Sequence, residues 1–426
     1  MSEATVRCGS SAWTAWILAM LTLGVMVASG LSASQLWASD PVASEAPAED
    51  AREDATANGS SEASESPPRA AAWFQLHPRV AEQWQMKEGG SPSALQLVPK
   101  GSAEPETRAL VLFSKSSSAY DTAMNRILTV FGHKGLEVSW TLYNTWQRPA
   151  SARRELRKIQ AGAYDIVFAM GSASTESLYR RLFGDATPVV TVCAKDPVLM
   201  GWVDDYEGGS GANFAFTSLN VPVEIQLAYL RQLKPELSQI AVVYARDNTS
   251  AVRTQVEPMV EKAAEEAIEL HRVTVVDRSN ARAELDWKVA RAVYRMKQRD
   301  PEGARSLFWI TGSTSVFENM ATILQHTGKI PVLAVTPSLV TSGEDSALLS
   351  IGAGFESNAQ LAALYGVQIL EGAAQPGELD VGVVLPPDIS INFRKARELG
   401  LKIPFEFFES ASVIFDTQGR LVRHGG

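Results

Sequence analysis

Residues 213–245 read NFAFTSLNVPVEIQLAYLRQLKPELSQIAVVYA. The stretch closes one sheet, then runs into a helix whose apolar residues Val223, Leu227, Leu230 and Leu233 fall on one face. A turn through Pro235 leads to a second buried strand from Ile240 to Tyr244. Asn220 is the expected N-cap, and Pro222 suits a first helical turn and no later position, which fixes the helix start. Here the chain steps from one globular half into another.

On both sides of this step, short unbroken apolar runs alternate with helical stretches. The runs lie at 109–113, 166–170, 189–193, 240–244, 307–310, 332–335 and 348–351. Strands apolar on both faces belong to parallel sheets covered by helices on each side. Between them, Val252, Val256, Met259, Val260 and Ala263 keep one apolar stripe, as do Leu285, Val289, Ala292, Val293 and Met296. The expected class is α/β, with enough strands for two doubly wound parallel-sheet lobes. Residues 108–219 are assigned to lobe 1, completed by part of 354–390, and residues 220–353 to lobe 2, completed by part of 391–415.

The same residues carry a family likeness. Asn213, Thr217 or Ser218, Glu224, Gln226, Leu227, Leu230, Leu233, Pro235, Ile240, Val242 and Tyr244 resemble the hinge and helix of the solute-binding proteins of ABC importers, in the branch of tryptophan- and tyrosine-type receptors. Asp196-Pro197 followed by Gly201 is similar to that family's strand exit, and Lys329-Ile330-Pro331-Val332 to a strand entry. Ile391-Asn392, Ala396, Leu399-Gly400-Leu401 and Ile403-Pro404 match its closing motif. No single motif is specific; their order and spacing across 108–415 are. The resemblance implies a type I periplasmic-binding fold, two lobes joined by a hinge crossed several times, a small-molecule ligand and an ABC permease as partner.

Composition agrees with a globular chain: 45% of its 426 residues are hydrophobic and 20% charged. The net charge of −9 comes mostly from residues 39–72, where Asp40, Glu45, Glu49, Asp50, Glu53, Asp54, Glu62 and Glu65 face only Arg52 and Arg69. No basic stripe or aromatic-basic interleaving is present, which argues against nucleic acid. Residues 13–31 form a charge-free run of 19, between a long signal core and a short membrane span. Residues 1–38 therefore read as a cleaved signal peptide or a retained anchor, placing the rest in the periplasm, free or held at the inner membrane. Residues 39–107 read as a mostly disordered acidic linker, although Trp73, Phe74, Trp84 and Leu95 offer something to dock. On this reading the chain before Arg108 is dispensable for folding.

Candidate ligand residues sit in the hydroxyl- and amide-rich turns after the strands, where open α/β sheets bind ligands and helix N-termini offer free N–H groups. They are Ser116, Ser117, Tyr120, Ser172, Ser174, Asn248, Thr249, Thr311, Ser313 and Ser338, with Asp196 as a possible receiver of an amine and Trp202 as a lid or stacking surface. Any one of them is equally an ordinary cap. Asp121 reads as first-turn dipole complementarity, and Trp140 and Trp309 as core. The sequence holds no G-x-S-x-G, G-x-G-x-x-G, phosphate loop or H-E-x-x-H. His77, His133, His271, His326 and His424 lack metal-ligand spacing, so neither an enzyme nor a cofactor is expected. Receptors for amino acids commonly place an aspartate after a second-lobe strand; here that turn is Thr311-Gly312-Ser313-Thr314. Either Asp196 supplies the charge, or the ligand is a small carboxylate or other polar solute rather than an ordinary amino acid.

Overall fold

The computed structural model describes residues 73–101, 105–146 and 148–424; the run at 13–31 lies outside them. In lobe 1, β1 (Trp84–Glu88), β2 (Ala94–Pro99), β3 (Thr107–Phe113), β4 (Val138–Asn144), β5 (Ile166–Met170), β6 (Val189–Val192) and β7 (Phe214–Ala215) form one sheet in the order β1-β2-β4-β3-β5-β6-β7. From β4 to β7 every pairing is parallel, while β1 and β2 add an antiparallel edge. Helices Ser118–Lys134 and Ser172–Leu182 belong to opposite layers, their apolar stripes Met124, Ile127, Phe131 and Leu178, Leu182 entering separate clusters. This is a doubly wound lobe.

The chain leaves lobe 1 through β8 (Thr217–Ser218) and enters the helix Val223–Leu233. That helix buries Val223, Leu227, Leu230 and Leu233, the stripe read from its spacing. Its cap differs from the expectation: Pro222 occupies the cap position, and the Asn220 side chain instead accepts from the Asp196 amide at 3.0 Å. An extended Pro222, with φ −49° and ψ 139°, holds the helix start away from Asn220.

Lobe 2 repeats the arrangement with β9 (Gln239–Ala245), β10 (Glu269–Val275), β11 (Ser306–Ile310), β12 (Val332–Ala334) and β13 (Leu349–Gly352), in the order β10-β9-β11-β12-β13, all parallel. From β13 the chain crosses back. Helix Phe355–Leu370 packs on Ser118–Lys134 and buries Ala359, Ala362, Ala363 and Val367 in lobe 1. β14 (Gly382–Val383) then runs parallel to β8 as a two-stranded hinge ribbon. A third crossing delivers β15 (Asp388–Asn392), β16 (Ala411–Phe415) and β17 (Leu421–His424) to the far edge of the lobe 2 sheet.

A buried polar network holds the crossings. Asn358, 0% exposed on the returning helix, accepts from the Cys193 amide at 2.7 Å and donates to the Ser218 carbonyl at 3.0 Å. Thr217 donates its hydroxyl to the Thr191 carbonyl at 2.6 Å. In low dielectric each of these groups is costly to leave unpaired. Asn358→Ala strands the Cys193 amide and the Ser218 carbonyl, and about 3 kcal/mol of stability should be lost in denaturant unfolding; a loss below about 0.5 kcal/mol would show that the network tolerates its removal.

The N-terminal boundary is a correction. Residues 73–99 belong to lobe 1: Trp73 and Phe74 are buried against Phe113, and Trp84, Leu95 and Leu97 join the same core. β4 has a free edge in a five-stranded sheet, and β2 covers it, so the segment has a partner that its own composition does not announce. The expectation that the chain before Arg108 is dispensable therefore fails on packing. A chain starting at Glu106 lacks these side chains and uncovers the apolar surface they pack against, Phe113 included, at about 25 cal/mol per Å². Against one starting at Glu65, it should lose at least about 10 °C in melting temperature or cease to unfold cooperatively; equal melting curves would overturn the assignment.

Candidate functional site

Both parallel sheets place their first strand between the second and third, so each has a crevice where strand order reverses. In lobe 1 the crevice lies between β3 and β5; in lobe 2, between β9 and β11.

In lobe 1, Tyr120 brings its ring to the crevice from the first turn of Ser118–Lys134. Gly171, at φ 82°, leaves room for it: a methyl there would fall 2.0 Å from the Tyr120 hydroxyl. Burial pushes the phenol up to about 12, with the nearby Cys193 adding to the effect, so it stays a hydroxyl. Ser116 is exposed and donates to the Trp73 carbonyl at 2.8 Å, and Ser117 sits at the cap of the same helix without a side-chain bond. Ser172 accepts the Lys195 amide at 3.0 Å. Ser174, 2% exposed, has a hydroxyl without a partner. It lines a cavity of about 440 Å³ together with Ser114, Thr145, Arg148, Arg180 and Arg181. Arg180 pairs with Glu176, the one acid lining the cavity.

In lobe 2, Asn248 caps its own helical turn through Ala251 and donates to the Gly312 carbonyl at 3.0 Å and to Ser313 at 3.3 Å. Thr311 returns its hydroxyl to the Val243 carbonyl at 3.0 Å. These three residues are brought together across the β9/β11 crevice. Thr249 and Ser338 are exposed and join no such cluster.

Two expectations change. Asp196 is 1% exposed, and its carboxylate is taken up by the Leu199 amide at 3.0 Å, Tyr206 at 2.8 Å and Ser218 at 3.2 Å. Burial and this carboxylate together raise the Tyr206 phenol far above its ordinary range, which keeps it donating. Asp196 is thus the cap of Pro197–Met200 and a buried internal acceptor with three protein donors. Trp202 is 8% exposed and stacks on Phe216 at 6.1 Å, so it packs within lobe 1 instead of lining the crevice. Asp121 does lie in a first helical turn, and burial pushes its carboxyl up to about 6.

Two residues unmarked by the sequence patterns, Lys195 and Gln255, meet at Gly312 where the lobes approach. Lys195 leaves β6 just after Cys193, whose left-handed φ of 55° ends the strand abruptly. Its ammonium reaches the opposite lobe: a methyl on Gly312 would lie 2.6 Å from Lys195 Nζ. Gly312 donates its amide to Gln255 at 2.8 Å. Gln255 lies on a π-helical turn, Val252–Val256, just before Pro258, which has no N–H to return to Thr254. Among the described residues Lys195 has no ion pair, and burial alone pushes its ammonium down to about 8. The legible signal was a lysine three residues past a fully buried strand; nothing in the helical stripe around Val252 and Val256 marked Gln255.

The family model described as ABC transporter substrate binding protein matches residues 119–414. Comparison with curated proteins returns no match. Among solved structures, a conserved domain protein from Vibrio cholerae is similar at 21% identity and TM-score 0.55, over 73% of this chain and 100% of that one. An ABC domain from Streptococcus pneumoniae in complex with L-Trp is similar at 18% identity and TM-score 0.57, over 72% and 99%. A ligand-free, open substrate-binding protein with adhesive properties from Clostridium difficile shares 18% identity at TM-score 0.57, over 73% and 99%. At such identities the likeness carries the fold, the type I periplasmic-binding arrangement.

The folded protein releases the Lys195 proton near 8, and an unfolded lysine near 10.5. Between those values the unfolded chain binds more protons, so the destabilisation is present in full below pH 8 and fades as pH rises to 10.5. Lys195→Met should therefore stabilise the protein at neutral pH by on the order of 2 kcal/mol, with a smaller gain near pH 10. Paired denaturant titrations measure both; a loss of stability at neutral pH would contradict the burial argument.

Proposed function

Because the chain belongs to the ABC transporter substrate-binding protein family, we propose that it is an extracytoplasmic receptor that closes two lobes on a small polar organic solute and delivers it to an ABC permease. The observation that carries this reading is the approach of Lys195, just past β6 of one lobe, to the Gly312 turn at the β9/β11 crevice of the other. A ligand seated there touches both lobes only when they are closed, so binding shifts the population toward the closed form. The ligand contacts come from Tyr120, Ser172 and Ser174 on one side and Asn248, Thr311 and Ser313 on the other. The role is binding and release, without chemistry on the solute.

Residues 13–31 favour a second reading. If the run is retained, the lobes become a membrane-tethered sensing or accessory domain for another membrane protein. Among the described residues no helix is long and apolar enough to cross a membrane. Permease and ATPase genes beside this one would favour the importer; their absence, together with an uncleaved N-terminus in the mature protein, would favour the sensor.

Small-angle scattering tests closure. Protein stripped of co-purifying small molecules by partial unfolding and refolding should show a larger radius of gyration than protein given back the released material. Identical profiles in the two states would count against a trap that closes on its ligand.

A further inference from the structure

We infer that the solute carries an anionic group, a carboxylate, sulfonate or phosphonate, and that Lys195 is the residue that pairs with it in the closed cleft. This rests on the receptor reading above and names its substrate class.

The argument begins with what surrounds the ammonium. Lys195 is fixed at its backbone by the bond from its amide to Ser172, in the first turn of the Ser172–Leu182 helix. Its side chain runs to the Gly312 turn of the other lobe, where both Gly312 backbone groups have partners: Gln255 accepts the amide, and Asn248 donates to the carbonyl. The neighbouring carboxylate, Asp196, is spent on Leu199, Tyr206 and Ser218. A lysine that served only as a latch between lobes would end on one of these acceptors; this one ends on none. Lys195 is partly exposed, and an ammonium held at the lobe junction without a counter-charge is left to pair with an anion that arrives there, the more strongly as closure excludes water.

Further cations stand on both lobes. Arg148 and Arg181 line the lobe 1 cavity, where Glu176 is already paired with Arg180. Arg253, on the π-helical turn, lies near Gly201 beside the cleft. In that lobe 1 cavity Ser174 adds a buried hydroxyl with no partner, at the N-terminal turn of an 11-residue helix. An α-amino acid would bring an ammonium as well, and the strand-end turn at 311–314 has no acid to receive it.

The test uses the purified protein, wild type and the variants Lys195→Met and Lys195→Arg. Small molecules released on denaturation are identified by mass spectrometry. Calorimetry is then run with them and with matched acid and amide pairs: benzoate and benzamide, succinate and succinamide, 4-hydroxyphenylacetate and its amide. The expected result is an acid bound by wild type and its amide not bound. Lys195→Met should weaken the acid at least tenfold while melting no lower than wild type, and Lys195→Arg should recover part of the affinity. A neutral or zwitterionic compound bound equally by wild type and Lys195→Met would overturn the inference and leave the receptor reading standing. Should nothing be released and nothing in the panel bind either protein, the receptor reading falls, and the inference falls with it.

Discussion

The amide side chain of Asn358 is the point on which the arrangement of the two lobes depends. Three chain crossings must pass between two separate hydrophobic cores, and crossing strands of two residues cannot satisfy their own backbone. Asn358 supplies an acceptor to Cys193 and a donor to Ser218 from one fully buried side chain. Thr191, Thr217, Asp196 and Asn220 complete the same layer. A polar layer between apolar cores is a better hinge than an apolar one, because hydrogen bonds fix direction where packing alone would permit sliding.

The cleft inherits its character from this layer. Asp196, drawn into the hinge, is removed from the ligand side, while Lys195 beside it is left facing the cleft. Adjacent residues of opposite charge thus serve different ends: one carboxylate hydrogen-bonded by three donors, one ammonium left without an acceptor among the described residues. The left-handed Cys193 makes the division geometrically possible by turning the chain sharply at the strand end. Local strain and buried charge both persist because the surrounding layer over-determines them.

Much of this was legible in the sequence wherever a strand is covered on both faces. Such strands, β3, β5, β9 and β11 among them, appear as unbroken apolar runs, and the Val223–Leu233 stripe appears at helical spacing. Strands with a half-open face were not legible. β4 sets Val138, Trp140 and Leu142 against Ser139 and Thr141, and β10 leaves most of its length only half-buried, so neither has a run to notice. Residues 73–99 hid for a further reason: their burial depends on the free edge of β4, a property of the assembled sheet and not of the segment. At the site, the turns were found from their capping chemistry. That same chemistry drew attention to Asp196, a satisfied cap, and away from Lys195, whose significance is a missing partner that only three dimensions reveal.

The strap formed by residues 73–99 also settles which body is the fixed one. It ends on the rim loop through the bond from Ser116 to the Trp73 carbonyl, and it is knitted into lobe 1 by β2. The described chain thus begins at Trp73, inside lobe 1. A pull applied at Trp73 is therefore borne by lobe 1, the stator, and lobe 2 turns about the hinge ribbon as the rotor.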